Sequence, residues 1–257
     1  MKAVRWLAVA AALFAAGCAR EEVKPQQLAN VTASPQANAA LPLSLSFSIP
    51  NGKSITVAEA IAARPSVLLF ADFTCSSLCG PTLSLIAHSL AESGLQAGSD
   101  FRLVVIGIDP KDSAADARAM KQKQLPAGFP AVFLRGDESD IHAATNALGY
   151  RYEYDPQHDQ FAHSADAYVL DASGHVSRVL NGLTASARDL RLALVGASNR
   201  EIGTFRDHLQ LLCYGFDPSK GTYSVAVNRI LAAACCLTVL SLAGMILLLS
   251  FGRPKRA

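Results

Sequence analysis

The chain has 257 residues, a formal net charge of +2 and 17% charged residues. So small a net charge gives no electrostatic reason to expect nucleic-acid binding, and the sequence has no basic stripe interleaved with aromatic residues. Its mean hydropathy of +0.24 is positive largely because both ends of the sequence are strongly hydrophobic.

Residues 1–18 have the pattern of a bacterial export leader. Lys2 and Arg5 precede an apolar run at residues 6–16, which ends in small residues just before Cys18. The run is short for a bilayer span. The stretch LFAAGC is also similar to the lipobox of bacterial lipoproteins, in which the cysteine is acylated. Lipidation of Cys18, an uncleaved anchor and ordinary cleavage nearby are therefore all open.

Residues 43–200 are predicted to form one α/β domain, which follows a flexible tether at residues 19–42. The tether is rich in Ala, Gln, Asn and Pro and lacks a sustained apolar period. In the domain, buried strands at residues 67–73 and 101–108 alternate with segments of helical periodicity. The predicted helices cover residues 82–93, 113–124, 141–148 and 185–195, and a hairpin covers residues 166–182.

A transmembrane helix is predicted within residues 225–251. Residues 230–251 have no charged side chain, and a helix of this length just crosses a hydrocarbon core of about 30 Å. Three basic residues lie in the tail at 252–257, whereas Arg229 alone precedes the span, so the C-terminus is predicted to be cytoplasmic. This places the domain on the periplasmic side of the bacterial plasma membrane. A buried core helix is the alternative.

Three further cysteines lie in the C-terminal part of the sequence. Cys235 and Cys236 fall inside the predicted span and are expected to pack there. Cys213 lies in the predicted juxtamembrane segment at residues 201–224 and is also expected to be a packing thiol. A ligand role or a disulfide with a partner protein is the alternative for Cys213.

The stretch FADFTCSSLCGPT places Cys75 and Cys79 directly after a predicted buried strand and at the start of a helix. Open α/β sheets bind ligands at this end of their strands. The helix N-terminus favours thiolates, which are both nucleophiles and soft metal donors. A structural disulfide is the alternative, but a bridge over three residues constrains the unfolded chain little. We therefore interpret the pair as redox-active or metal-binding.

His163 is the candidate for a third ligand. It precedes a predicted strand, on a loop that would face the cysteines in a thioredoxin-like sheet. Two thiolates and one imidazole suit a three-coordinate copper site, whereas structural zinc prefers four strong ligands. The spacing alone leaves zinc open. The other histidines are expected to be solvated or capping residues.

Three motifs in order, FADFTCSSLCGPT, VIGIDPKDSAADARAMKQ and FAHSADAYVLDASG, resemble the Sco/SenC family of copper-binding assembly factors of respiratory oxidases. The resemblance implies a thioredoxin-like domain with a central mixed sheet flanked by helices. It also implies copper ligation by Cys75, Cys79 and His163, and a structural or supporting role for Asp109.

The family's function would be to deliver a copper ion to the dinuclear copper centre of cytochrome c oxidase subunit II or a similar respiratory oxidase, or to reduce that centre's cysteines. Two departures affect the site. Gly80 intervenes between the second cysteine and Pro81, and Ala162 stands where many members have aspartate before the histidine.

Two other functions stay open at this point. The first is a periplasmic thiol-disulfide oxidoreductase or thiol peroxidase on the same fold. The spacing of the cysteines and the distant histidine favour a metallochaperone over such an enzyme. The second is a tethered scaffold of the oxidase, for which replacement of Cys75 and Cys79 would leave oxidase activity intact.

Overall fold

The computed structural model describes residues 31–156, 159–198, 202–204, 207, 211, 214–217, 222–225, 235–238, 240–242 and 245. Its helices are α1 (Val57–Ile61), α2 (Cys79–Glu92), α3 (Ala114–Gln124), α4 (Glu138–Ala147) and α5 (Ala187–Ala197). Its strands are β1 (Thr32–Ala33), β2 (Ser46–Ser48), β3 (Ser54–Thr56), β4 (Ser66–Ala71), β5 (Arg102–Gly107), β6 (Val132–Leu134), β7 (Tyr150–Arg151), β8 (Glu153–Asp155), β9 (Gln160–Ala162), β10 (Asp166–Leu170), β11 (Val176–Asn181), β12 (Tyr214–Asp217) and β13 (Thr222–Val225).

A five-stranded sheet forms the centre of the domain, in the order β11-β10-β4-β5-β6. Strands β4, β5 and β6 are parallel, whereas β10 runs antiparallel to both of its neighbours. Every residue of β4 is buried, as its continuous apolar sequence predicts for a strand covered on both faces. The prediction of a mixed sheet flanked by helices is confirmed.

The two faces of the sheet carry separate hydrophobic clusters. Helices α2, α3 and α5 pack on one face, where Leu83, Ile86 and Leu190 are buried against the sheet. Helices α1 and α4 cover the other face, where Ile61 and Ile141 are buried. Burial of these apolar side chains on both faces is the main source of the domain's stability.

The helix starts follow local capping rules, with one exception. Ser113 caps α3 in a reciprocal capping box, as the sequence predicts, and Ser186 does the same for α5. Helix α2 begins with Leu78 at its cap position, and among the described residues no side chain caps it. Its first-turn N–H groups are therefore left facing the loop that carries Cys75.

The ordered part of the domain begins before residue 43. Strand β1 pairs with β7, Leu41 is only 1% exposed, and the Leu41 N–H donates to the Gly174 carbonyl at 2.9 Å. Residues 32–42, assigned to the tether by composition, thus pack against the domain because one apolar side chain completes its core. A second element that the sequence did not predict is the β8–β9 hairpin.

The predicted membrane-associated segments lie largely outside the described residues. Of the expected span at 225–251, the structure describes Val225, at the end of β13, and helical residues 235–238, 240–242 and 245. Within the described part of the chain, no helix is both long and apolar enough to cross a bilayer. The leader with Cys18 and the juxtamembrane Cys213 fall outside the described residues, so their predicted roles stay predictions.

Gly182 marks a close approach between the end of β11 and the loop before β10. Its N–H donates to the Ala165 carbonyl at 3.0 Å, and a Cβ at this position would lie 2.7 Å from Thr82 Cγ2 and against the Ala165 oxygen. We expect Gly182→Ala to lower the free energy of unfolding by about 1–3 kcal/mol through overpacking, measured by urea denaturation.

Gly196→Ala is the matched control, because within the described part of the chain a Cβ there would meet one atom, Leu211 Cδ1 at 4.0 Å. Since Gly196 lies within helix α5, its replacement should be neutral or stabilise the domain by up to about 1 kcal/mol. A Gly182→Ala chain as stable as the wild type would contradict the close approach.

Candidate dithiol and histidine site

The cysteines lie where strand β4 turns into helix α2. Strand β4 ends at Ala71, the chain crosses a short loop, and α2 starts at Cys79. Cys75 is partly buried in this loop, Cys79 is 5% exposed, and both are free thiols. The pair thus occupies the carboxyl end of a central strand, as the sequence predicts.

His163 reaches the cysteines through the pairing of β10 with β4. Because the two strands are antiparallel and Ala167 pairs with Leu69, the residues before β10 run alongside the end of β4. His163 Nε2 lies 2.7 Å from Cys79 Sγ, although 84 residues separate them in sequence. The structure therefore brings His163 against the second cysteine of the pair.

Tyr150 and a backbone carbonyl fix the orientation of the imidazole. The buried Tyr150 hydroxyl donates to the Ser164 carbonyl oxygen at 2.8 Å and lies 2.8 Å from His163 Nδ1. Since the phenol has one proton, we assign the ring proton of His163 to Nδ1, which leaves the lone pair of Nε2 facing Cys79. Burial lowers the pKa of His163 and raises that of Tyr150, so both groups are neutral near pH 7.

The two thiols are electrostatically unequal. A hydrogen bond from Cys79 lowers the pKa of Cys75 to about 6, against the opposing effect of burial, and the Ser77 N–H contributes from 3.4 Å. The same hydrogen bond, together with burial, raises the pKa of Cys79. At neutral pH, Cys75 is therefore a partly accessible thiolate and Cys79 a buried thiol.

The predicted three-ligand arrangement is only partly formed. Cys79 Sγ contacts His163 Nε2, and the Cys79 thiol lowers the pKa of the neighbouring Cys75. Among the described residues, however, no group of three or more His, Cys, Asp and Glu side chains is arranged to hold a metal ion. Ligation of one ion by all three predicted residues therefore stays a prediction.

Two buried carboxylates near the cysteines were not identified from the sequence. Asp72 is fully buried three residues before Cys75, and Asp112 accepts a hydrogen bond from the Phe73 N–H at 2.8 Å. Burial raises the pKa of Asp112 to about 7. Asp109, which the family resemblance singles out, accepts from the Lys111 N–H at 2.8 Å, a turn contact in keeping with a structural role. The sequence feature that could have identified Asp72 was its place in the motif FADFTCSSLCGPT, three residues before Cys75.

The departure at Gly80 has a packing reason. A Cβ at Gly80 would lie 2.5 Å from Gln124 Nε2, the end of a flexible side chain on α3, so a larger residue here would require Gln124 to move. Ser84 reinforces this contact by donating its hydroxyl to the Gln124 carbonyl at 2.8 Å. Pro81 then falls in the first turn of α2, where a missing N–H costs little.

Fold and site together define a thioredoxin-like dithiol domain with a histidine at its second cysteine. Residues 35–195, more than half of the chain, match the SCO1/SenC family model. The chain belongs to the SCO1/SenC family.

Solved structures with the same fold include a putative electron transfer protein from Aquifex aeolicus VF5, at 16% identity and a TM-score of 0.58, covering 65% of this chain and 96% of that one. Copper-bound ScoI from Bradyrhizobium japonicum matches at 19% identity and a TM-score of 0.51, covering 64% and 99%. BsSco, a Sco-family cytochrome c oxidase assembly protein with a disulfide switch, matches at 19% identity and a TM-score of 0.53, covering 65% and 98%. No curated protein sequence matches significantly.

The lowered pKa of Cys75 predicts a distinct pH dependence of alkylation. Because iodoacetamide reacts with the thiolate, the rate at Cys75 in the reduced, chelator-treated chain should rise with a midpoint near pH 6, while Cys79 reacts far more slowly. Peptide mass spectrometry gives the rate at each cysteine separately.

Cys79→Ala is the informative variant, because it removes the hydrogen bond that stabilises the Cys75 thiolate. It should move the Cys75 midpoint up toward the ordinary value of about 8.5. A midpoint already near that value in the wild-type chain would show that the two sulfurs do not interact.

Proposed function

We propose that the domain binds one copper(I) ion through Cys75, Cys79 and His163 and transfers it to the dinuclear copper centre of cytochrome c oxidase subunit II or a similar respiratory oxidase. The observation that carries this proposal is the 2.7 Å contact between Cys79 Sγ and His163 Nε2, beside the Cys75 thiolate. The copper in Bradyrhizobium japonicum ScoI and the assembly role of BsSco support it.

The hydrogen-bond pattern explains why a cation suits this group of atoms. Cys79 has one proton, but both the Cys75 thiolate and the His163 Nε2 lone pair compete for it. One proton satisfies only one acceptor well at a time, whereas a metal ion accepts electron pairs from all three donors. Two soft thiolates and an imidazole favour copper(I) over harder cations. Transfer would then proceed by exchange with thiolates of the acceptor.

Membrane anchoring belongs to the same proposal. The predicted span at residues 225–251 would hold the domain at the periplasmic surface of the bacterial plasma membrane. Confinement to that surface raises the effective concentration of the domain near a membrane-embedded oxidase without any further contact. A soluble acceptor would not require such an anchor.

The copper proposal predicts a defined set of affinity losses. In anaerobic competition titrations of the full chain with a chromophoric copper(I) chelator, the wild type should bind one ion. Cys75→Ser, Cys79→Ser and His163→Ala should each weaken binding by more than about a hundredfold, since each removes a ligand and loss of a supporting partner alone costs 10–100-fold.

His88→Ala serves as the control in these titrations. His88 is an exposed histidine on α2 whose Nδ1 lies 2.8 Å from the Ser84 carbonyl of the same helix, so its loss should leave the affinity unchanged. Undiminished copper binding in the triple variant would refute the ligand assignment.

The inequality of the two thiols favours a second candidate function, reduction of the acceptor's cysteines before metallation. The Cys75 thiolate would attack one sulfur of an acceptor disulfide, forming a mixed disulfide and releasing one thiolate. Cys79 would lose its proton and attack Cys75 Sγ, releasing the second acceptor thiolate. The pair ends as a disulfide, and the acceptor's two sulfurs gain two electrons; they become thiols by taking up the proton lost by Cys79 and one further proton from solvent. A partly accessible thiolate followed by a buried thiol suits this order of attack.

The order of attack predicts which variant traps the acceptor. Cys79→Ser keeps the nucleophile but cannot resolve the mixed disulfide, so it should accumulate a covalent adduct with an oxidised acceptor domain, seen on non-reducing gels. Cys75→Ser should form little adduct, because the remaining thiol, Cys79, is only 5% exposed and an acceptor disulfide cannot easily reach it.

Equal adduct formation by both variants would contradict the assigned roles.

The scaffold alternative makes a different prediction for oxidase assembly in cells. If the domain acted only as a scaffold, cells with the double variant lacking Cys75 and Cys79 would assemble oxidase with full activity. Both cysteine-based functions predict that the same variant loses oxidase activity.

A further inference from the structure

The loop that carries Cys75 is tied to the segment that carries His163. We use the name cysteine loop for residues 72–78, between β4 and α2. The segment opposite is β9, whose last residue directly precedes His163. The two pieces of chain are far apart in sequence, yet they are joined by side-chain hydrogen bonds at two points besides the Cys79–His163 contact.

The first tie is the buried carboxylate of Asp72, which uses each oxygen for a different side. Oδ1 accepts hydrogen bonds from the N–H and the hydroxyl of Thr74, both at 2.9 Å. Oδ2 accepts from the Phe161 N–H at 3.3 Å. Thr74 is the neighbour of Cys75, and Phe161 lies two residues before His163, so one fully buried group contacts both arms of the site.

The second tie is made at the surface by the carboxamide of Gln160. Its Nε2 donates to the Ser76 hydroxyl at 2.8 Å, and its Oε1 accepts from the Ser77 hydroxyl at 3.4 Å. Both serines lie between the two cysteines. Gln160 thereby holds the tip of the cysteine loop against β9, and Asp72 holds the base of the same loop.

We propose that Asp72 is the positioning residue of this site: it holds Cys75 at a fixed distance from His163, and Gln160 assists it from the surface. This inference rests on the proposed copper function. Cys79 needs no further tie to His163, because it lies in helix α2 and contacts His163 directly. Cys75, in contrast, lies on a loop, and the two ties connect that loop to the histidine.

An asparagine at position 72 is the sharpest test of this role. It has nearly the same shape, but one of its two polar atoms is an N–H donor in place of an acceptor. In either orientation of the asparagine, its NH₂ group meets the N–H of Thr74 or the N–H of Phe161. The hydrogen bond to that N–H is therefore lost. Gln160→Ala breaks the surface tie without disturbing a buried group.

The experiment measures copper(I) coordination and affinity in the full chain. X-ray absorption should give three ligating atoms for the wild type and a shift toward two for Asp72→Asn, with an affinity loss of about tenfold or more. Gln160→Ala should give a smaller loss in the same direction. Amide hydrogen exchange of the metal-free chain should become faster at Phe161 in Asp72→Asn.

Asp171→Asn is the control, because Asp171 also accepts two backbone N–H bonds, from Ser173 and His175, at the far end of β10. It should leave coordination number and affinity unchanged. A folded Asp72→Asn chain with wild-type coordination and affinity would overturn the inference. If Asp72→Asn does not fold, Gln160→Ala decides, and unchanged affinity there overturns it.

Failure of the proposed function gives a different result. A wild-type chain that takes up no copper would refute the function. In that case, faster exchange at Phe161 in metal-free Asp72→Asn would still support the tie between the two arms, and unchanged exchange would overturn it.

Discussion

The antiparallel pairing of β10 with β4 is the contact on which the site depends. Strand β4 ends at the cysteines and β10 begins just after the histidine, so their register sets the distance between sulfur and imidazole. Both strands are buried on both faces, and a shift by one residue would turn buried side chains to the wrong face of the sheet. The hydrophobic core thus fixes a polar contact that has little energy of its own.

Around that contact, each polar group limits the state of its neighbour. Tyr150 and the Ser164 carbonyl hold the ring proton on Nδ1, which leaves Nε2 free to face Cys79. Cys79 in turn stabilises the thiolate of Cys75. A proton placed among these atoms is therefore shared by three groups, and the two proposed functions, copper delivery and thiol reduction, would use the same arrangement.

The sequence predicts the central elements well because buried strands and amphipathic helices have strong apolar periodicity. It also places Cys75 and Cys79 correctly, since the motif spans a strand end and a helix start. The β8–β9 hairpin is short and half-buried, so its residues have no such period. The partners of Asp72 and Tyr150 are distant in sequence, and only the folded sheet brings them together. His163 was selected from its place on a loop before a strand of the predicted sheet, and the family motif supported this choice; spacing alone does not specify a partner so far along the chain.

The distance in sequence between Cys79 and His163 also connects ion binding to folding. A chain in which β10 has not yet docked offers two thiols but no imidazole, so it holds an ion with fewer ligands. An ion held by all three groups binds the native state in preference to the unfolded ensemble. It therefore raises the free energy of unfolding, and at ion concentrations well above Kd this increase grows with the logarithm of the ratio of free ion concentration to Kd. Release to an acceptor would return the domain to its lower, metal-free stability.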